Sequence, residues 1–98
     1  MSDIDAVLKN FGAQPGVIGS MVLKLNGQTV KSTFSDQETL KYAGLITEFV
    51  RKAKSSLENT LVSSPLNVIR IRSHKNEIII TPDNDYLLVV VQDASASP

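Results

Sequence analysis

Between Leu66 and Gln92 the chain lays down three strand-length runs, Leu66 to Arg72, Glu77 to Thr81 and Tyr86 to Gln92, broken by "SHKN" and "PDND". Strand side chains alternate between two faces, so the register of such runs sorts every residue onto one face or the other. Taking "SHKN" as a four-residue loop built on a type I turn sets Arg72 opposite Glu77, Ile71 opposite Ile78, Arg70 opposite Ile79 and Ile69 opposite Ile80. A three-residue loop with Asn76 left-handed would instead set Arg72 against Ile78 and Arg70 against Ile80. The first register is preferred because it matches charge with charge and isoleucine with isoleucine. Extended through "PDND" with Thr81 opposite Tyr86, one face reads Ile69, Ile71, Ile78, Ile80, Leu87, Val89 and Val91, with no polar member. The other reads Arg70, Arg72, Glu77, Ile79, Tyr86, Leu88 and Val90. The wholly apolar face calls for a covering helix.

A long helix is available. "SDQE", Ser35 to Glu38, has the form of a capping box, with the Ser35 hydroxyl bonding the Glu38 amide and the Glu38 carboxylate reaching back. The helix it opens is predicted to run to about Asn59. Leu40, Ala43, Ile46, Val50, Ala53 and Leu57 form one stripe, and Tyr42, Leu45 and Phe49 widen it beyond what one contact needs. Lys41, Glu48, Arg51, Lys52 and Lys54 make a solvated side. Before this helix, Val17 to Leu25 and Gln28 to Thr33 read as a hairpin across Asn26-Gly27, a dipeptide suited to a type I′ turn. The second of these strands is the more polar and is placed at an edge. Ser2 caps a short first helix whose stripe is Ile4, Val7, Leu8 and Phe11, stopped by Gly12 and "QPG". That helix covers part of a sheet. The order is helix, strand, strand, long helix, then three strands.

Ninety-eight residues make one domain with a modest core, which a second subunit could extend. Net charge is zero and cysteine is absent. The first argues against a dedicated nucleic-acid binder, and the second excludes disulfides and thiolate metal sites. "MSDIDAVLKN" lacks the pattern of a signal peptide, and no run reaches the ~20 apolar residues of a membrane helix, so a cytosolic, membrane-free protein is expected. The final "DASASP" is small and polar and is expected to fray, placing a disordered tail at 94–98 after a domain over 1–93.

No catalytic or metal constellation is evident, and no cofactor is expected. His74 is the single histidine and sits in a turn, without the convergent partners of a triad or metal site. Asp83 and Asp85 belong first to turn chemistry. Gly16 and Gly19 have no following Gly-Lys-Ser/Thr, so they do not build a phosphate loop. Arg70, Arg72, His74 and Lys75 alternate with aliphatic rather than stacking aromatic residues, which argues against nucleic acid. Two readings of Arg70 and Arg72 stay open. They guard an edge strand against aggregation, or they border a groove that receives another chain.

"RIRSHKNEIIITPDNDYLLVVVQD", Arg70 to Asp93, resembles the end of roadblock-type dynein light chains. "PGVIGSMVLKLNGQTVKST" (Pro15 to Thr33) resembles that family's first hairpin, and "YAGLITEFVRKAKS" (Tyr42 to Ser55) its long helix. The departures are His74, where a lysine is common, and residues 59 to 65. The resemblance implies a roadblock/profilin-like α/β (α+β) domain. Its five-stranded antiparallel sheet has the order 2-1-5-4-3, with the long helix on one face and the short N-terminal helix on the other. It further implies a homodimer in which two third strands pair across a two-fold, with Phe49, Lys52 and Ser56 near the helix pair and Val68, Ile69, Arg70, Ile71 and Arg72 in the strand pair. The implied function is that of a non-catalytic dynein light chain in the cytoplasm, on microtubules through the motor. The implied partner is the dynein intermediate chain, bound as a helical segment. Arg70, Arg72 and Glu77 would border its groove, with Ile79, Leu88 and Val90 as floor. Related roadblock-fold proteins resemble scaffolds or regulators of small GTPases, which is the alternative.

Overall fold

The computed structural model describes residues 6, 9–10, 13–58 and 66–94. Five strands, β1 (Val17–Lys24), β2 (Thr29–Ser32), β3 (Ile69–Arg72), β4 (Asn76–Asp83) and β5 (Tyr86–Asp93), form one antiparallel sheet in the order β2-β1-β5-β4-β3. One long helix, α1 (Asp36–Glu58), packs on one face. The architecture is the expected α+β one. Ala6, Lys9 and Asn10 are helical. The apolar stripe Ile4, Val7, Leu8 and Phe11, the loop Val62 to Pro65 and residues 95–98 of the expected tail lie outside the described residues.

The β3–β4 register is the preferred one: Arg72 faces Glu77, Ile71 faces Ile78, Arg70 faces Ile79 and Ile69 faces Ile80. The β4–β5 register differs. β4 runs on to Asp83, which faces Tyr86, so a two-residue turn replaces the expected four-residue loop, and Thr81 faces Leu88. Asn84 takes the left-handed conformation this tight turn needs, at φ 57°. The slip is two residues, one full side-chain period, so every face assignment survives it. Pro82 sits inside β4 but beyond Ile80, where the β3 ladder stops. That placement also explains why β3 starts at Ile69 and not at the expected Leu66. A strand extended backwards would meet a residue with no N–H to donate.

The first hairpin turns through three residues, not two. Gly27 N donates to Lys24 O (2.9 Å), Lys24 N donates to Gln28 O (2.8 Å), and Gly27 alone is left-handed at φ 96°. Leu25 therefore belongs to the turn. A bulge between Val22 and Leu23 absorbs the odd residue.

The core lies between α1 and the sheet. Met21 and Leu23 of β1, Ile80 of β4, and Leu87 and Val89 of β5 meet Ala43, Ile46 and Val50 of α1. Leu40, expected in that stripe, is 80% exposed, and Thr39 and Thr47 are buried in the neighbouring helix positions. Phe34 lies flat over Gly19, where a Cβ would fall 2.5 Å from its ring, and it meets Tyr42 edge-on. The capping box forms in altered shape. Glu38 N donates to Ser35 Oγ (3.2 Å), and the Glu38 carboxylate accepts from the Ser35 hydroxyl (3.1 Å) rather than from the amide.

Candidate partner-binding surface

Among the described residues β3 is an edge strand, hydrogen-bonded to β4 alone. Its ladder on the other side is open, and such an edge is a template for another strand. Two surfaces flank it, one on each face of the sheet.

On the helix face, parity puts Ile69, Ile71 and Ile78 beside the core residues Ile80 and Val89. Ile69 and Ile78 are half-buried and Ile71 is 39% exposed. Helix α1 does not cover them fully, because Thr39, Leu40 and Thr47 turn its other flank toward the β1–β2 side, where Thr39 and Leu40 share a groove with β2. At 3.6 residues per turn the flank toward β3 carries Leu45, Phe49, Lys52 and Ser56. All four are exposed, Leu45 at 63% and Phe49 at 45%. Val68, just before β3, is 47% exposed. It lies one residue before the strand. The result is an apolar strip running from helix flank to open edge.

On the opposite face, Glu77 gathers the polar groups. It is 5% exposed. Arg70 donates from Nε to Oε2 (3.3 Å) and from Nη2 to Oε1 (3.1 Å), and Gln92 Nε2 donates to Oε1 at 2.7 Å. Arg72 Nε stands 3.9 Å from Oε2. The directly opposed Arg72 is thus the weaker partner, and the diagonal Arg70 makes the fork. Diagonal neighbours across a ladder lie within reach of long side chains. The Arg70 hydrogen bonds, helped by Gln92 and by both arginine charges, hold the Glu77 carboxyl below its usual range against the opposing effect of burial. Both guanidiniums stay half in water, with side chains 55% and 48% exposed.

The expected groove floor is only partly available. Ile79 is half-buried, but Leu88 and Val90 are already buried, at 9% and 5% exposure. They pack centrally, beside Val22 and Ser20 of β1. The structure therefore brings Arg70, Arg72 and Glu77 together with Ile79, and leaves Leu88 and Val90 as foundation rather than surface. Gln92 was not among the expected site residues. The two-residue turn at Asn84-Asp85 is the signal that would have placed it opposite Glu77. His74, Asp83 and Asp85 are exposed at the turns.

Comparison with known proteins gives a consistent picture. The family model described as Roadblock/LC7 domain matches residues 3–93. MglB of Myxococcus xanthus superposes with a TM-score of 0.83 at 20% identity, over 99% of this chain and 80% of that one. MglB in a tetrameric arrangement gives 0.80 at 15%, over 98% and 74%. MglC of Myxococcus xanthus gives 0.59 at 22%, over 96% and 82%. At these identities the likeness is one of fold.

Proposed function

Because the chain belongs to the Roadblock/LC7 domain family, we propose that it acts as a non-catalytic, homodimeric docking platform. The observation that carries this reading is the open β3 edge with Leu45, Phe49, Val68 and Ile71 exposed beside it. Pairing of two β3 strands across a two-fold satisfies both ladders, joins the sheets into one of ten strands, and lays the helix flanks against each other. The structure of MglB in a tetrameric arrangement is in keeping with self-association of this fold.

Pairing brings four arginines and two Glu77 carboxylates onto one face, a surplus of positive charge near the two-fold. An acidic segment of a partner balances it. The resemblance of Arg70 to Asp93 to dynein light chains supports the dynein intermediate chain as that partner, with the protein cytoplasmic and microtubule-associated through the motor. A second reading, a scaffold or regulator of small GTPases, is favoured by the named solved relatives, which are MglB and MglC and not dynein subunits.

Molar mass in solution, with and without an intermediate-chain peptide, tests the platform and the first partner together. A dimer that gains mass with the peptide supports both, and a stable monomer at micromolar concentration refutes the platform. Pull-down with nucleotide-loaded small GTPases separates the two partner readings. The arginine face is tested by Arg72→Glu: intermediate-chain binding is expected to fall, and unchanged binding by an intact dimer would place the partner elsewhere.

A further inference from the structure

Alternation along β3 decides which backbone groups the open edge presents. Ser73 N donates to Asn76 O at 2.8 Å, so Ser73 points toward β4. Ile71 and Ile69, two and four residues back, point the same way, and the N–H and C=O groups of Arg70 and Arg72 point outward. The two arginines differ in their side chains. Arg70 is committed within its own chain, with donors on Glu77 at 3.3 and 3.1 Å. The Arg72 guanidinium makes no hydrogen bond among the described residues. Its Nε stands 3.9 Å from the same carboxylate, and its side chain is 48% exposed.

The next step rests on the platform reading above, in which a second copy completes the edge with both helices on one side of the joined sheet. A two-fold perpendicular to the sheet keeps facing residues on the same face. In an antiparallel pair this requires one residue to face its own copy. Only two such registers leave three residues of β3 (Ile69–Arg72) paired with residues of the copied strand. With Ile71 on the axis, Arg70 of each copy faces Arg72 of the other, which sets each loosely held guanidinium directly against a cation. With Arg70 on the axis, the single arginine pair consists of guanidiniums already forked onto Glu77. Ile69 then faces the second copy's Ile71, and Arg72 faces Val68, an uncharged residue that is 47% exposed. Like charges directly opposite each other destabilise a ladder, so the register with Arg70 on the axis is favoured.

We propose that two copies pair with Arg70 on the two-fold axis, and that the two Arg72 guanidiniums, one from each copy, form a paired recognition site for carboxylates of an acidic partner. At ~3.4 Å per residue and ~4.8 Å between strands, the two Arg72 α-carbons stand about 14 Å apart, one on each side of the axis. Arg70 holds Glu77 and leaves Arg72 to meet the partner, and the planar fork of Arg72 suits a carboxylate. One copy carries half of the site, and the second copy completes it.

The sequence has no cysteine, so a single introduced one can link only to its own copy. A disulfide needs α-carbons about 4.4–6.8 Å apart; a hydrogen-bonded pair across a ladder gives ~5.5 Å, and residues one step off the axis give about 8 Å. Arg70→Cys is therefore expected to oxidise to a covalent dimer, and Ile71→Cys to remain unlinked. Because Arg70→Cys also releases Glu77, wild type is read in parallel. In a dimer assembled from differently isotope-labelled copies, the α-proton of Ile69 is expected to lie against that of the second copy's Ile71. On addition of acetyl-hexaglutamate-amide, the Nε–H signal of Arg72 is expected to shift saturably while that of Arg70 stays in place. Linkage through Ile71→Cys and not Arg70→Cys, or an α-proton contact of Ile71 with its own copy, overturns the register. An unmoved Arg72 signal, or an Arg70 signal that moves as far, overturns the paired site. A wild-type chain that sediments as a monomer refutes the platform itself, whereas a dimer without the Ile69–Ile71 contact refutes this register alone.

Discussion

Truncating Phe49 to alanine puts the self-pairing surface to its sharpest test. Phe49 is 45% exposed and stands on the helix flank toward β3, outside the core cluster. An aromatic side chain carries roughly 200 Å², so about 90 Å² of Phe49 is open to a partner. At ~25 cal/mol per Å² that area is worth about 2 kcal/mol. A two-fold interface counts it twice, giving about 4 kcal/mol and a dimer weakened by roughly a thousandfold. Sedimentation equilibrium of wild type and Phe49→Ala across micromolar to millimolar protein reads this directly. Circular dichroism should show the variant folded, since the truncated group contributes little to the packed interior. Leu40→Ala is the matched control. It removes a side chain that is 80% exposed, but on the flank toward β2, and it should leave the dissociation constant where it was. If Phe49→Ala dimerises like wild type, or if Leu40→Ala weakens the dimer as strongly, the wrong flank of the helix has been assigned.

Glu77 should make stability depend on acid pH. Its folded-state carboxyl titrates below the ordinary value of 4.5, so its contribution is present above that value and is lost as pH falls through the folded one. Urea midpoints from about pH 7 down to about pH 3 should therefore drop in wild type and run flatter in Glu77→Gln; parallel curves would mean that the Arg70–Glu77–Gln92 cluster does not form. Gly19→Ala drives a Cβ to 2.5 Å from the Phe34 ring. It should cost about 1–3 kcal/mol by denaturant midpoint, with part of the loss recovered in the double variant with Phe34→Leu. Ser35→Ala removes the acceptor for Glu38 N and should cost about 1 kcal/mol, read the same way.

Where the sequence was legible, two independent signals agreed on one register. At β3–β4, charge opposite charge and isoleucine opposite isoleucine both demanded the same pairing, and the structure has it. At β4–β5 only the turn spoke: Pro82 presets φ for a turn and Asp83 or Asn84 can supply its side-chain bond, so Pro82-Asp83 read as loop, although the chain makes them strand. The exception arises because β3 is too short to reach Pro82, a fact of the third dimension. The same slip hid Gln92, since it put the wrong residue opposite Glu77. Asn26-Gly27 misled in another way: the dipeptide fits a two-residue turn, but the chain makes Leu25 a turn residue and spends only Gly27 on the left-handed position. On α1 the error was one of residue type. Thr39 and Thr47 occupy core-facing positions, and a search for apolar letters substituted Leu40 for them. Of the candidate site, the arginine cluster could be read from strand parity. The difference between a committed Arg70 and a loosely held Arg72 could not, because it depends on how side chains reach across a ladder.

The two edges of the sheet are built for different ends. β2 is four residues long, faces solvent with Lys31, and is bent by the bulge in its pairing with β1. Short length, a lysine and a bulge are the usual means of discouraging strand addition. β3 is equally short and carries two arginines, which on sequence alone look like the same guard. Their geometry points the other way. Arg70 folds back over β4 onto a nearly buried carboxylate, Arg72 leans toward the same oxygen pair, and Gln92 holds that carboxylate from the far side. The charges thus sit over one face of the sheet, while the face toward α1 offers Ile71 along the edge. Strand addition at β3 meets apolar surface on one side and a partly neutralised cluster on the other, so the edge does not repel its own copy as two free arginines would. Each copy still brings two cations and one anion to that cluster. On the proposed reading, self-pairing concentrates positive charge on the face opposite the helices, so the arrangement that would permit the dimer would also create its demand for an acidic partner.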